Sequence, residues 1–208
     1  MNDQQNQPII VGISGSSGVA IAEKTINRLL QEDVPVITVC SNYAKLVWHQ
    51  ELGISFKDSL SIWSEHPKFQ YYRSGDMTAT IASGSTPIRS MIVAPCSMST
   101  LASIANGIST NLLHRAADVT IKENRNLIIV PRETPLSAIH LENMTKLANL
   151  GVKIIPPMPA FYLKPNSVDE IVDYFVEKIL IVSGGVTNYD SKFMYSPEEI
   201  LPDIYDEK

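Results

Sequence analysis

The strongest constraint on this chain is an alternation. Short, wholly apolar runs recur, and each is followed by a longer stretch of helical periodicity. The runs at Pro8–Ile13, Pro35–Cys40, Ser90–Ala94, Asn126–Val130 and Val152–Ile155 read as buried strands. Helical patterns follow at Val19–Gln31, Asn42–Glu51, Ser97–Ala105, Asn111–Glu123, Ser137–Leu150 and Ser167–Leu180. Ser167 and Glu170 make a capping-box pattern just after Pro165. Strands apolar on both faces need helices on both sides. The expected fold is therefore three-layer α/β, a doubly wound, mostly parallel sheet of Rossmann- or flavodoxin-like type. Pro95 is expected to stop the third run, and 53–73 reads as irregular or as a helical excursion.

At 208 residues and 44% hydrophobic content, one domain can fill its own core without disulfide or metal staples. That domain is expected over 1–186. After Gly184-Gly185 the composition turns acidic and turn-rich. Residues 187–208 read as a tail, either a flexible end or an arm reaching a neighbouring subunit. A net charge of −5 argues against nucleic acid as the main partner. The two cysteines, Cys40 and Cys96, are too few for a secreted disulfide framework and read as core thiols. The polar start "MNDQQNQ" lacks a signal-peptide layout, and no apolar run approaches membrane-spanning length. A soluble, cytoplasmic protein is expected.

In doubly wound sheets, ligands gather at the carboxyl ends of the strands. The first strand runs into Gly12-x-x-Gly15-x-x-Gly18, with Ser14, Ser16 and Ser17 between the glycines. Such a loop suits a phosphate, because glycine lets the anion approach the backbone amides. The dinucleotide spacing is absent, and the second strand ends in Ser41 and Asn42 with no carboxylate for a ribose. A mononucleotide is favoured over NAD; a turn without a ligand is the other reading. Ser97, Ser99 and Thr100 open the helix after the third run and form a second candidate anion or polar-edge site. Arg132 and Glu133 stand where the fourth run ends, as part of a site or as an ion pair closing a subunit interface. The stiff "PPMP" loop presents Phe161 and Tyr162. His49, His66, His114 and His140 lack ligand spacing and read as surface or capping residues.

The motifs "SGSSG", "SNYAK", "IASGS", "APCSMSTLASIANG", "NLLHRAADVTIKE", "VPRETPLSAIHLENM" and "PPMPAFY" occur in order over most of residues 9–180. Together they resemble the UbiX-like flavin prenyltransferases of the flavin-binding cysteine decarboxylase-like superfamily. That resemblance implies an enzyme joining a dimethylallyl group from dimethylallyl phosphate to N5 and C6 of reduced FMN. The prenylated FMN then serves a UbiD-like decarboxylase. It implies FMN contacts at Gly15, Ser16, Ser17, Ser41, Ser97, Met98, Ser99, Thr100 and Arg132. Tyr162 and Lys178 would grip the dimethylallyl phosphate, with Arg115 and Lys122 nearby. Glu133 and then Glu51 are the candidate proton carriers, and Ser17 is a further catalytic position. Glu51 also reads as a solvated helix-end charge. Trp48 could offer an aromatic face to an allyl cation or serve only in helix packing. The resemblance also implies a large homo-oligomer, a dodecamer, with sites between subunits, and no metal. An FMN-dependent cysteine-type decarboxylase and a non-catalytic flavin-binding subunit are the alternatives. Lys178 stands where some relatives carry Arg, and the loop here reads "SGSSG" with no aromatic after it.

Overall fold

The computed structural model describes residues 6–187 and 190–193. Six strands form one sheet: β1 (Ile9–Ile13), β2 (Val36–Cys40), β3 (Phe69–Arg73), β4 (Ser90–Cys96), β5 (Asn126–Pro131) and β6 (Lys153–Ile154). All neighbouring pairs are parallel, in the order β3-β2-β1-β4-β5-β6. This is the doubly wound order expected, and its direction of winding reverses between β1 and β4.

Side chains alternate across the sheet with a period of two. Ile9, Val11 and Ile13 enter one core, where they meet α1 (Val19–Gln31), α2 (Asn42–Leu52), α3 (Phe56–Trp63) and α7 (Val168–Ser183). Ile10 and its neighbours Ile37, Met91 and Val93 enter the other. That second core is closed by α4 (Met98–Ala105), α5 (Leu112–Lys122) and α6 (Ala138–Asn149). Gly12 keeps the second layer close: a β-carbon there would lie 3.1 Å from Leu113. Lys24 of α1 bridges Asp169 at 2.6 Å and Asp173 at 2.7 Å, tying α1 to the first turns of α7.

Three expectations need correction. Residues 53–73 are not irregular: they hold α3, the helical excursion of the other reading, and then the edge strand β3, which neither reading contained. Ser55 and Asp58 close a reciprocal capping box that starts α3. Pro95 does not end its strand, since β4 runs through it to Cys96 with a register shift after Val93. The box at α7 is offset by one residue: Ser167 accepts the Glu170 amide at 3.1 Å, but the Glu170 carboxylate takes the Asn166 amide at 2.7 Å. The expected tail lies mostly outside the described residues. Its described part folds back on its own chain, where the Asp190 amide donates to buried Glu177 at 2.9 Å. No described helix is long and apolar enough to cross a membrane.

Candidate functional site

The carboxyl ends of five neighbouring strands form one continuous edge. Register fixes the row: Arg73 ends β3 opposite Cys40, Ser41 follows β2, and the glycine loop follows β1. Ser97 follows β4, and Arg132 and Glu133 follow β5. At the switch point the loops after β1 and β4 are joined by Ser14. Its hydroxyl donates to the Pro95 carbonyl at 3.0 Å and accepts the Ser97 amide at 2.7 Å. Buried Ser14 is thus a structural link, not the free ligand donor its place in the loop implied.

Gly15 is required by its own chain. A β-carbon at 15 would fall 2.5 Å from the Tyr43 β-carbon, so the start of α2 presses on the loop there. The amides of Gly15 and Ser17 make no hydrogen bond to described residues. Ser16 donates at 3.4 Å to the Arg132 carbonyl, which joins the loop to the end of β5. Ser97 caps α4 by accepting the Thr100 amide at 3.3 Å, leaving the first-turn amides of Met98 and Ser99 to face outward. Ser41 caps α2 in the same way, accepting the Ala44 amide at 3.1 Å. Arg132 is exposed, and its guanidinium makes no ion pair with a described residue. Arg132 and Glu133 do not pair with each other within the chain. Glu133 is exposed and accepts the Thr134 amide at 3.0 Å.

Glu51 has a role that neither sequence reading contained. Its carboxylate accepts the Gly18 amide at 2.9 Å and the Val19 amide at 3.1 Å. Gly18, in a left-handed conformation with φ 104°, is the N-cap of α1 and has no side chain to cap the helix. Glu51 supplies the cap from α2, so the positive end of α1 is already neutralised. Trp48 is fully buried, edge-on to Phe56 at 5.3 Å and Trp63 at 5.6 Å, and its indole donates to Ser59 at 3.1 Å. It packs the core and offers no face to a ligand.

The expected donor-binding side chains do not converge within one chain. Arg115 and Lys122 lie on α5, on one side of the sheet. Arg115 donates to the Ala82 carbonyl at 3.0 Å and to Asp118 at 2.8 Å; Lys122 pairs with Glu123. Tyr162 and Lys178 lie on the other side. Tyr162 hydrogen-bonds Tyr174 of α7, one turn before Lys178, so α7 gathers these three. Tyr174 was not singled out from the sequence, although its four-residue spacing from Lys178 was visible. Burial, and then Tyr162, hold the Tyr174 phenol above its ordinary pKa. A cavity of about 280 Å³ opens beside Tyr174 and is lined by Ala160, Leu163, Ile171 and Phe193. Phe161 is exposed, as the proline loop implied.

The histidines stand apart from the edge chemistry. His49 is exposed in the last turn of α2, and His140 caps α6 with Ser137. His114 is buried against Thr110 at 3.0 Å, and burial lowers its pKa. Both cysteines are buried; desolvation raises the Cys40 thiol to about 12 and pushes the Cys96 thiol up as well.

A switch point lined by amides, hydroxyls and the Arg132 guanidinium, without partners among the described residues, defines a doubly wound protein with a mononucleotide-type site. The family model described as Flavoprotein matches residues 1–180. Flavin prenyltransferase UbiX of Synechocystis sp. is 46% identical over 184 residues, covering 84% of this chain and 89% of that protein. The dodecameric FMN-dependent UbiX-like decarboxylase from Escherichia coli O157:H7 superposes with a TM-score of 0.83 at 39% identity, covering 91% of this chain and 98% of that one. AnUbiX (PadA1), solved with FMN and dimethylallyl pyrophosphate, gives 0.81 at 34% identity, with 89% and 98% covered. The chain belongs to the UbiX flavin prenyltransferases of the flavoprotein family.

Proposed function

We propose that this chain transfers a dimethylallyl group from dimethylallyl phosphate to reduced FMN. The observation that carries this reading is the donor-rich switch point in a chain whose relatives are flavin prenyltransferases. FMN is the acceptor and supplies the N5 and C6 positions that receive the group.

The residues present fit an anionic, planar ligand. Among the described residues nothing pairs with the Gly15 and Ser17 amides or with the Arg132 guanidinium, and Met98 and Ser99 offer helix-start amides. In this reading Gly15, Ser16, Ser17, Ser41, Ser97, Met98, Ser99, Thr100 and Arg132 hold the flavin. Tyr162 and Lys178, with Arg115 and Lys122, hold the phosphate of the donor. Cations already in place stabilise the charge that builds on a departing phosphate, and such preorganisation is a large catalytic term. Glu133 holds or moves the proton, at the flavin carbon or the phosphate oxygen. Ser17 lies beside the amides capped by Glu51, so Glu51 acts by fixing the loop.

Because the donor-holding residues lie on opposite faces of one sheet, the complete site takes them from more than one copy of the chain. This agrees with the dodecameric neighbour. The product is proposed to pass to a UbiD-like decarboxylase, in the cytoplasm. The direct test incubates the protein with FMN, a reductant and dimethylallyl phosphate, then weighs the released flavin. A gain of one five-carbon unit is expected; unmodified flavin after full reduction overturns the reading.

A further inference from the structure

We propose that Tyr174 is a positioning residue for the transfer: its phenol fixes the aim of Tyr162, and Glu177 holds Tyr174 in place through the turn at 190–193. The inference rests on the prenyl-transfer reading above. Both residues of α7 act through Tyr162 and not by contact with the prenyl donor.

The need for such a support follows from where Tyr162 stands. It rides a short turn, Phe161–Leu163, between "PPMP" and Pro165, and is 44% exposed. A phenol on a surface loop has many orientations, and a group that must meet an anion gains by having one. α7 offers the fixed partner, since Phe175, Val176, Ile179 and Leu180 bury its inner face. Tyr174 hydrogen-bonds Tyr162. Burial first, and then Tyr162, favour the protonated Tyr174 phenol, so in this bond Tyr174 donates and the Tyr162 oxygen accepts. The Tyr162 proton is then directed away from α7, as a donor to an anion must be. Tyr174 and Lys178 are four residues apart and share one face of the helix. One rigid element thus sets both groups proposed to grip the phosphate.

Tyr174 is itself held from the side. Its ring meets Phe175 edge-on at 5.3 Å and Phe193 at 6.0 Å. Phe193 reaches it from the turn at 190–193. There the Asp190 carbonyl accepts the Phe193 amide at 3.0 Å, and Asp190 Oδ1 accepts the Lys192 amide at 3.1 Å. The turn hangs on a buried group: the Glu177 carboxylate accepts the Asp190 amide at 2.9 Å, with Arg28 of α1 3.9 Å away. Glu177 is only 2% exposed, and a carboxylate so buried is costly without its hydrogen bonds. Releasing the turn would remove one of them, so the latch favours the seated turn and keeps Phe193 on Tyr174.

The test follows prenylated flavin made by the assembled protein from FMN, a reductant and dimethylallyl phosphate. Tyr174→Phe removes the phenol oxygen and keeps the ring. Its KM for dimethylallyl phosphate should rise about three- to tenfold, the loss of one hydrogen bond. Its kcat and FMN affinity should stay within about twofold, as for a contact that serves ground state and transition state alike. In a Tyr162→Phe background the same change should add nothing, because its target is gone. Glu177→Ala should raise KM as Tyr174→Phe does. Glu177→Gln, whose carbonyl can still accept the Asp190 amide, should restore the parent value. Asp190→Pro deletes that amide without touching α7, and should give the same rise even where Glu177→Ala fails to fold. An unmoved KM in Tyr174→Phe overturns the proposal. So do effects of Tyr162→Phe and Tyr174→Phe that multiply, since Tyr174 then acts by another route. Loss of FMN affinity together with the rise in KM also overturns it, because the damage then lies in the fold. A parent KM in Asp190→Pro overturns the latch. A parent protein that yields no prenylated flavin would overturn the prenyl-transfer reading itself, and this inference with it.

Discussion

Two glutamates flagged as acidic positions take different places. Glu51 is spent on the Gly18 and Val19 amides, while Glu133 stands exposed with one local amide contact. Only the second is free to turn toward a ligand. Replacing Glu133 with Gln keeps the shape and a carbonyl acceptor but removes the exchangeable acid. Single-turnover rates should fall by about 10²–10⁴-fold, with FMN and dimethylallyl phosphate still bound. A rate within about threefold of the parent, far short of that loss, would remove Glu133 from the mechanism. The chemical identity of these residues was legible in the sequence, because motif and strand end coincide. The Glu51 contact was not, since it depends on how α2 crosses the mouth of β1, and no local pattern encodes that crossing. Gly15 shows the same limit: its glycine was legible, yet the nearest reason for it is Tyr43, 28 positions along the chain.

At the level of elements, five strands and six helices were legible because each is an apolar run or a long periodic stretch. β3 was not, and α3 was legible only as one of two readings of 53–73, a helical excursion without bounds. β3 lies at the sheet edge with no fully buried residue, so "FQYYR" lacks the apolar run that marks the inner strands. α3 has only eight residues, although its capping pair Ser55 and Asp58 was there to be read. Capping also makes one element do two jobs. Ser41 starts α2 by accepting the Ala44 amide, and it is proposed to help hold FMN. The variants Ser41→Asp and Ser41→Ala separate these roles. Asp is as good a cap as Ser, so stability should hold, but its charge opposes a phosphate and FMN affinity should fall by tenfold or more, about 1.4 kcal/mol. Ala loses the cap and should cost about 0.5–2 kcal/mol in denaturant unfolding. If Asp binds FMN like the parent, Ser41 is a cap and nothing else.

At the scale of the whole molecule, the fold of a single chain divides the residues proposed to hold the donor. α7 runs from the carboxyl edge of the sheet back to its amino edge, where Ser90 donates to the Ser183 carbonyl and Asn126 to the Val182 carbonyl. Lys178 stands five residues before Ser183, about 8 Å along the helix from that far edge. Glu133 stands at the opposite edge, after β5. Arg115 and Lys122 are separated from both Tyr162 and Lys178 by the sheet itself. A rigid parallel sheet cannot fold these groups together, so in the proposed site it is another copy that brings Lys178 to the flavin near Glu133. This makes the assembly testable with two defective chains, Glu133→Gln and Lys178→Ala, each expected to turn over poorly alone. Mixed during co-expression in equal amounts, they should regain activity. A site that takes Glu133 from one copy and Lys178 from a neighbour is intact in about a quarter of random pairings. If both residues came from the same chain, no pairing would repair either defect, and the mixed protein would be no more active than the two separate variants. Recovery near a quarter of the parent rate, lost when the two variants are purified apart and then combined without exchange of subunits, would place the site between copies.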